Sequence, residues 1–191
     1  MENLRQFSGE NEAEIWQQIA TDMQQQGEIL TYSAQVKQQN YEVYFDIDID
    51  LGGGFEGGFE TTTFMAPVEN SALKFHLHPQ NWLNEVGKML GMEDVELGYP
   101  RLDQAFMIKA NNPAALKTIF TDESIRQTLL KYPDCELKLS HETDEPGARN
   151  LLTFSLDLAI TNPEDLREIY SLMLQLLKKL EEPNYTDFEN L

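Results

Sequence analysis

The chain of 191 residues carries a formal net charge of −19, from 33 acidic and 14 basic residues. Such a charge repels phosphate backbones and anionic headgroups, so it excludes nucleic-acid binding by counterion release and disfavours a membrane surface. Basic proteins and small cations are the compatible partners. With 41% apolar and 10% aromatic residues, the chain is long and apolar enough to form one domain with a core.

The sequence shows neither a secretory leader nor a membrane span. Its first residues, MENLRQFSGENEAE, contain no apolar signal-peptide region, and no run of about 18 apolar residues occurs. The single cysteine, Cys135, excludes an internal disulfide, and its place at the start of an apolar strand indicates a buried thiol rather than a nucleophile. We therefore expect a cytoplasmic protein.

The first half of the chain predicts one helix followed by four strands. Ile15, Ile19 and Met23 recur at helical spacing, and Gly27 ends that helix. Four segments then alternate apolar and polar residues: ILTYSAQVK, YEVYFDIDIDL, GGFETTTFM and ALKFHLH. Four consecutive strands of this kind predict an antiparallel meander with one polar face.

The second half of the chain predicts alternating helices and strands. The predicted helices are HPQNWLNEVGKMLG, NPAALKTIF, TDESIRQTLLKY and TNPEDLREIYSLMLQLLKKLEE, and the predicted strands are QAFMIKA, CELKLSHE and NLLTFSLDLAI. Asn112-Pro113 and Asn162-Pro163 are typical helix starts.

These elements together predict the architecture of the chain. We expect a single α+β domain over residues 1–182, with one antiparallel sheet of about seven strands, an N-terminal meander and helices packed on one face. Residues 183–191 are expected to form a loose C-terminal tail.

The segment DIDIDLGGGFEGGFETTTF, which begins at Asp46, carries aspartate at every second position before a glycine triplet. An EF-hand loop would need glycine at its sixth position and glutamate at its twelfth, where this chain has Leu51 and Gly57. A phosphate-binding loop would need a helix after the glycines, whereas FETTTF is rich in β-branched and aromatic residues. The segment therefore predicts a β-hairpin in which Phe55 and Phe59 face the same side, where they pack on the core or, as the alternative, line a groove.

This hairpin has a preferred register if Gly52–Gly54 form its loop. Asp50 then lies opposite Glu56 and Asp46 opposite Glu60, which separates carboxylates from apolar residues. The predicted acidic face consists of Asp46, Asp48, Asp50, Glu56 and Glu60. Like charges opposite each other destabilise a sheet, so this face is either a solvated surface or a docking site for a basic protein or cationic ligand.

Two histidines of the fourth strand form a second candidate site. His76 and His78 lie on one side of that strand, and a meander would set them near Glu60. Two imidazoles and a carboxylate are ligands that zinc or iron prefer. The alternatives are a divalent-metal protein, including a hydrolytic enzyme, and a solvated face on which the histidines act as counter-charges.

The sequence shows no nucleophile constellation. No serine lies in a Gly-x-Ser-x-Gly elbow, and Ser140 and His141 are strand neighbours that point to opposite faces. We therefore expect a non-catalytic binding or interaction protein of unknown ligand. The metalloprotein is the alternative, and a self-associating module is the third hypothesis.

The segment EDVELGYPRLDQAFMIKANNPAALKTIF, with the later pair of strands and the C-terminal helix, resembles over residues 93–182 a group of uncharacterised bacterial domains of unknown function. In that group an acidic-apolar strand precedes Phe-Asp/Asn-x-x-Phe, an Asp/Asn-Pro step and a helix. The residues that carry the pattern here, within EDVELGYPRLDQAFMIKANNPAALKTIF, are Leu102 in place of the first aromatic, Asp103, Phe106, Asn112 and Pro113. The resemblance implies an arrangement of strands and caps rather than an activity. Many of those domains look membrane-attached, whereas this chain shows no such segment.

Overall fold

The protein is described by a computed structural model over residues 4–53, 57–69, 71–80, 91–142 and 149–181. Within these ranges it has an α+β fold with five helices and one open, mostly antiparallel sheet of nine strands. The predicted fold class and single sheet are confirmed, but the expected number of strands is too low. The two strands missed are only four and two residues long, too short to show an alternating pattern.

The elements alternate along the described chain. The strands are β1 (Arg5–Ser8), β2 (Thr31–Gln38), β3 (Tyr41–Asp50), β4 (Phe59–Val68), β5 (Phe75–Pro79), β6 (Glu93–Asp94), β7 (Phe106–Ala110), β8 (Glu136–Glu142) and β9 (Arg149–Leu156). The helices are α1 (Glu12–Gln26), α2 (Pro100–Ala105), α3 (Pro113–Ile119), α4 (Glu123–Lys131) and α5 (Pro163–Leu180). Most of the helix predicted in HPQNWLNEVGKMLG, and the predicted tail, lie outside the described residues.

The strands lie in the order β1-β2-β3-β4-β9-β8-β5-β7-β6. β1 is parallel to β2, and the other pairs are antiparallel. The expectation that β5 pairs with β4 is wrong, because β9 takes that place and β5 lies between β8 and β7. β9 makes seven residue pairs with β4, including Phe154 opposite Phe64, which the five-residue β5 is too short to provide.

One face of the sheet carries the core. Its apolar side chains form a single cluster with the buried side chains of the helices. The central row of this face consists of Ala34, Phe45, Phe64, Phe154, Leu137, Leu77 and Ile108. Trp16 of α1 stacks 6.0 Å from Phe45 and meets Tyr170 of α5 edge-on at 5.7 Å, so both helices lie over this row.

Asparagine side chains begin three of the helices. Asn11, Asn112 and Asn162 each accept a backbone N–H in the first turn of α1, α3 and α5. Pro113 and Pro163 are the first residues of α3 and α5. The two predicted Asn-Pro starts are confirmed. Among the described helices, none has the length and apolar character that a membrane crossing requires.

The segment between β9 and α5, residues 157–162, packs against the beginning of β4. The hydroxyl of Thr62, a fully buried residue of β4, donates to the carbonyl oxygen of Leu158 and accepts the N–H of Ile160, each at 2.8 Å. One side chain therefore satisfies two backbone groups and fixes the course of the segment.

Candidate functional site

The sheet face opposite the core carries the polar side chains. One row on this face crosses all nine strands: Gln6, Gln35, Tyr44, Met65, Thr153, Lys138, His76, Lys109 and Asp94. The aspartates of β3 and the histidines of β5 are thus four strand positions apart, roughly 19 Å at the usual spacing. The two candidate sites predicted from the sequence, the acidic face and the histidine pair, are therefore separate regions of the sheet.

The aspartates of β3 do not face the glutamates of β4 in the predicted register. The observed pairs are Asp46 with Thr63, Asp48 with Thr61 and Asp50 with Phe59. Glu60 pairs with Ile49 and lies on the core side of the sheet, while Glu56 and Phe55 lie outside the described residues. The prediction that Glu60 shares a face with the aspartates is therefore wrong.

The glycine-rich connection explains this shift. β3 ends at Asp50 and β4 begins at Phe59, so residues 51–58, rather than Gly52–Gly54 alone, join the strands. A Cβ added to Gly58 would lie 2.3 Å from the carbonyl oxygen of Asp50, so the return of the chain requires glycine there. The buried residues of β4 are Thr62, Phe64, Ala66 and Val68. Phe59 is at an odd-numbered position, so its side chain points away from the core and is 50% exposed. The expectation that Phe59 packs on the core is therefore wrong.

An open cavity of about 680 Å³ lies where β3 ends and β4 begins. Its lining combines the carboxylates of Asp50, Glu60 and Asp157 with the apolar side chains of Leu51 and Phe59. In the part of the chain that the structure describes, no lysine, arginine or histidine lies within 4 Å of these three carboxylates. The cavity is therefore negatively charged without an internal counter-charge from the described residues.

Backbone hydrogen bonds position two of the carboxylates. Oδ1 of Asp50 accepts the N–H of Gly52 at 2.8 Å, and Oε2 of Glu60 accepts the N–H of Ala159 at 3.4 Å. A carboxylate has about four lone-pair positions, so each retains acceptor capacity. Several carboxylates with free lone pairs can accept hydrogen bonds from an ammonium or guanidinium group.

Exposed apolar side chains gather at the same end of the sheet. Among the described residues, five large apolar side chains are exposed, and four of them belong to this region: Leu30, Leu51, Phe59 and Leu158. The carbonyl oxygen of Leu30 accepts the N–H of Ile49 at 2.7 Å, which places it beside the end of β3. Apolar surface bordered by polar groups is typical of a contact with another protein.

The histidines of β5 are buried, at 4% exposure for His76 and 3% for His78, and their ring centroids are 5.0 Å apart. Oε1 of Glu136 on β8 lies 2.6 Å from Nε2 of His76. This contact holds the pKa of Glu136 below its ordinary value. Nδ1 of His78 lies 3.1 Å from the carbonyl oxygen of Pro79.

The structure does not assemble the metal site predicted from His76, His78 and Glu60. β9 and β8 separate β4 from β5, and Glu60 lies on the opposite face. Within the described ranges, no group of three or more histidine, cysteine, aspartate or glutamate side chains could hold a metal ion. The carboxylate beside the histidines is that of Glu136, and it serves as the partner of His76 within the fold.

Two residues of these regions were not recognised from the sequence. Glu136 alternates with apolar neighbours in CELKLSHE, which places it on a polar face but not beside a particular strand. Asp157 follows the last residue of β9, and only the pairing of β9 with β4 brings it to the cavity. Cys135 is buried as predicted, and burial raises the pKa of its thiol, which disfavours the thiolate that a nucleophile needs.

No family model, curated protein or solved structure matches this chain. The resemblance of residues 93–182 to uncharacterised bacterial domains therefore stays a prediction.

Proposed function

We propose that the protein is a non-catalytic binding protein that accepts a cationic side chain of a partner protein at the acidic end of its sheet. The acidic end consists of Asp46, Asp48, Asp50, Glu60 and Asp157. The observation that carries the proposal is the open cavity in which the last three of these carboxylates have no basic neighbour among the described residues.

The charge of the acidic end favours cation binding for two reasons. Asp50, Glu60 and Asp157 line one cavity, where like charges repel one another, and a bound cation relieves that repulsion. The net charge of −19 also raises the local concentration of cations and speeds the encounter with a basic partner.

The lining of the cavity favours arginine over other cations. Its planar guanidinium can donate to two carboxylates at once and stack on an aromatic ring, whereas the lysine ammonium acts as a point charge. Phe59 provides such a ring, half exposed, beside Glu60. A small inorganic cation would leave Phe59 and Leu51 uncovered, so a side chain with an apolar stem suits the site better.

The proposal is tested with a fluorescent peptide in which four arginines alternate with serine and glycine. Fluorescence anisotropy should show binding that weakens as salt is added, because the interaction is between exposed charges. The double variant Asp50→Asn with Asp157→Asn should bind about tenfold more weakly, equivalent to about 1.4 kcal/mol.

The matched control removes two charges elsewhere. Glu96 and Asp134 are exposed and lie outside the acidic end, so Glu96→Gln with Asp134→Asn should leave binding within about twofold. Equal loss in both double variants, or no binding of the peptide at low salt, would contradict the proposal.

A further inference from the structure

A second cavity, of about 430 Å³, lies beside the acidic end, and aliphatic side chains form much of its lining. The aliphatic part of this apolar cavity consists of Ala20, Met23, Ile29, Ile49 and Pro163, and Gln24 and Thr161 add polar groups to its lining. These residues come from α1, the connection between α1 and β2, the end of β3 and the residues at and just before the start of α5, so several segments that meet at this end of the sheet form the cavity.

The two cavities are direct neighbours. Ile49 lines the apolar cavity and is the cross-strand partner of Glu60, which lines the acidic one, so their Cα atoms are about 5 Å apart. Asp157 and Thr161 lie four positions apart in the segment between β9 and α5 and contribute to one cavity each. The exposed side chain of Leu158 belongs to this intervening segment.

Three hydrogen bonds tie the segment that separates the cavities to β4. Thr62 bonds the backbone of both Leu158 and Ile160, and Oε2 of Glu60 accepts the N–H of Ala159. Three consecutive residues are thus fixed to β4. Binding to a surface that is already ordered avoids the entropy cost of ordering it.

We propose that the two cavities together bind one amphipathic basic segment of a partner protein. An arginine enters the acidic cavity and a nearby leucine- or methionine-sized side chain enters the apolar cavity. This inference rests on the proposed function and specifies its partner. The acidic cavity complements a basic side chain, and the apolar cavity complements an aliphatic one. A purely basic segment would leave the apolar cavity empty.

The charge of the chain disfavours the other occupants of an apolar cavity. A second copy would bring another acidic surface, at a net charge of −19, against the first. Fatty acids and anionic lipids carry a negative group that the neighbouring carboxylates repel. A segment that presents both arginine and an aliphatic residue satisfies both cavities.

Three labelled peptides test the inference. The first carries arginines and leucines separated by glycine, the second has each leucine replaced by serine, and the third has each arginine replaced by glutamine. Fluorescence anisotropy should give at least about tenfold tighter binding for the first peptide than for the second, as expected for one buried leucine. The third should bind weakly or not at all.

A pocket-filling variant locates the apolar contact. Ala20→Phe should reduce the affinity for the leucine peptide to that for the serine peptide and leave the serine peptide unaffected. Ala13→Phe is the matched control, since Ala13 is an exposed residue of the same helix outside the cavity lining. Equal effects of the two variants, or no effect of either, would overturn the inference.

Amide chemical-shift mapping of the unmodified protein gives a test independent of any variant's folding. The leucine peptide should shift the amide signals of Ile29, Ile49 and Thr161, and the serine peptide should shift only signals around Asp50 and Asp157. If the serine peptide binds as tightly as the leucine peptide, this inference fails and the proposed function stands. If the peptide without arginine binds as tightly as the first, both fail.

Discussion

The acidic end and the histidine pair, His76 with His78, belong to the same sheet but differ in what lies beside their carboxylates. At the histidine pair, the carboxylate of Glu136 lies 2.6 Å from a buried imidazole, so the polar groups satisfy each other. At the acidic end, carboxylates surround an open cavity without a basic neighbour in the described chain. A carboxylate that already has a partner within the fold is occupied there, whereas a carboxylate without one is available to a partner protein.

The largest effect on stability is expected at Thr62, whose hydrogen bonds hold the segment between β9 and α5. Thr62→Val keeps the shape of the side chain but leaves the carbonyl of Leu158 and the N–H of Ile160 without their partner. We expect a loss of about 2–4 kcal/mol in the free energy of unfolding, since each unsatisfied buried group costs about 1–3 kcal/mol. Urea denaturation of the wild type and the variant measures this loss in the free energy of unfolding.

The neighbouring threonine is the control for this prediction. Thr63 lies opposite Asp46 on the other face of β4 and is only partly buried, so Thr63→Val should change stability by less than about 0.5 kcal/mol. Similar values for the two variants would show that the bonds of Thr62 do not support the segment.

An intermediate effect is expected at the histidine pair. Glu136→Gln removes the charge beside His76 and should cost about 1–2 kcal/mol at neutral pH. The folded-state pKa of Glu136 lies below its ordinary value of 4.5, so its stabilising contribution is present above that value and disappears as pH falls through the folded-state pKa. The difference between wild type and variant should therefore shrink below about pH 4.

Unfolding in urea at a series of pH values checks this behaviour. Glu96→Gln, which removes an exposed carboxylate, should lower stability little at any pH in the series. A difference between wild type and Glu136→Gln that stayed constant with pH would mean that the charge of Glu136 contributes nothing to the contact.

The smallest effect, and one of opposite sign, is expected at the acidic end itself. Asp48→Asn with Asp50→Asn removes two like charges on one face of β3, and asparagine keeps the carbonyl oxygen that accepts the N–H of Gly52. Stability should rise by a few tenths of a kcal/mol, more at low salt than at high salt. A loss above about 0.5 kcal/mol would indicate that these aspartates stabilise the fold rather than serve a partner.

Local patterns predicted much of the fold. The alternation of Val43, Phe45 and Ile47 identified β3 and its core side, and the two Asn-Pro steps identified the starts of α3 and α5. These signals are sufficient because side-chain parity and helix capping depend on residues that are neighbours in the chain.

Contacts between residues far apart in the sequence determine the register of β4 and the position of Asp157, which these local patterns did not predict. Phe59 and Phe64 have opposite parity, so only one of them can face the core. Phe64 does so because Phe45 stacks on it at 5.2 Å and Phe154 of β9 meets it at 6.5 Å. The same pairing of β9 with β4 brings Asp157 to the cavity. The sequence therefore singled out Asp50 and Glu60 as candidates, but it predicted neither their register nor the position of Asp157 beside them.

The position of β9 also has a consequence for the synthesis of the chain. β4 leaves the ribosome with one edge open, and the strand that covers this edge follows about 80 residues later. At a translation rate of 5–20 residues per second, the delay is roughly 4–16 seconds. An uncovered edge is a template for pairing with other chains. We therefore expect the nascent chain to be most prone to mispairing with other chains after β4 has emerged and before β9 is synthesised.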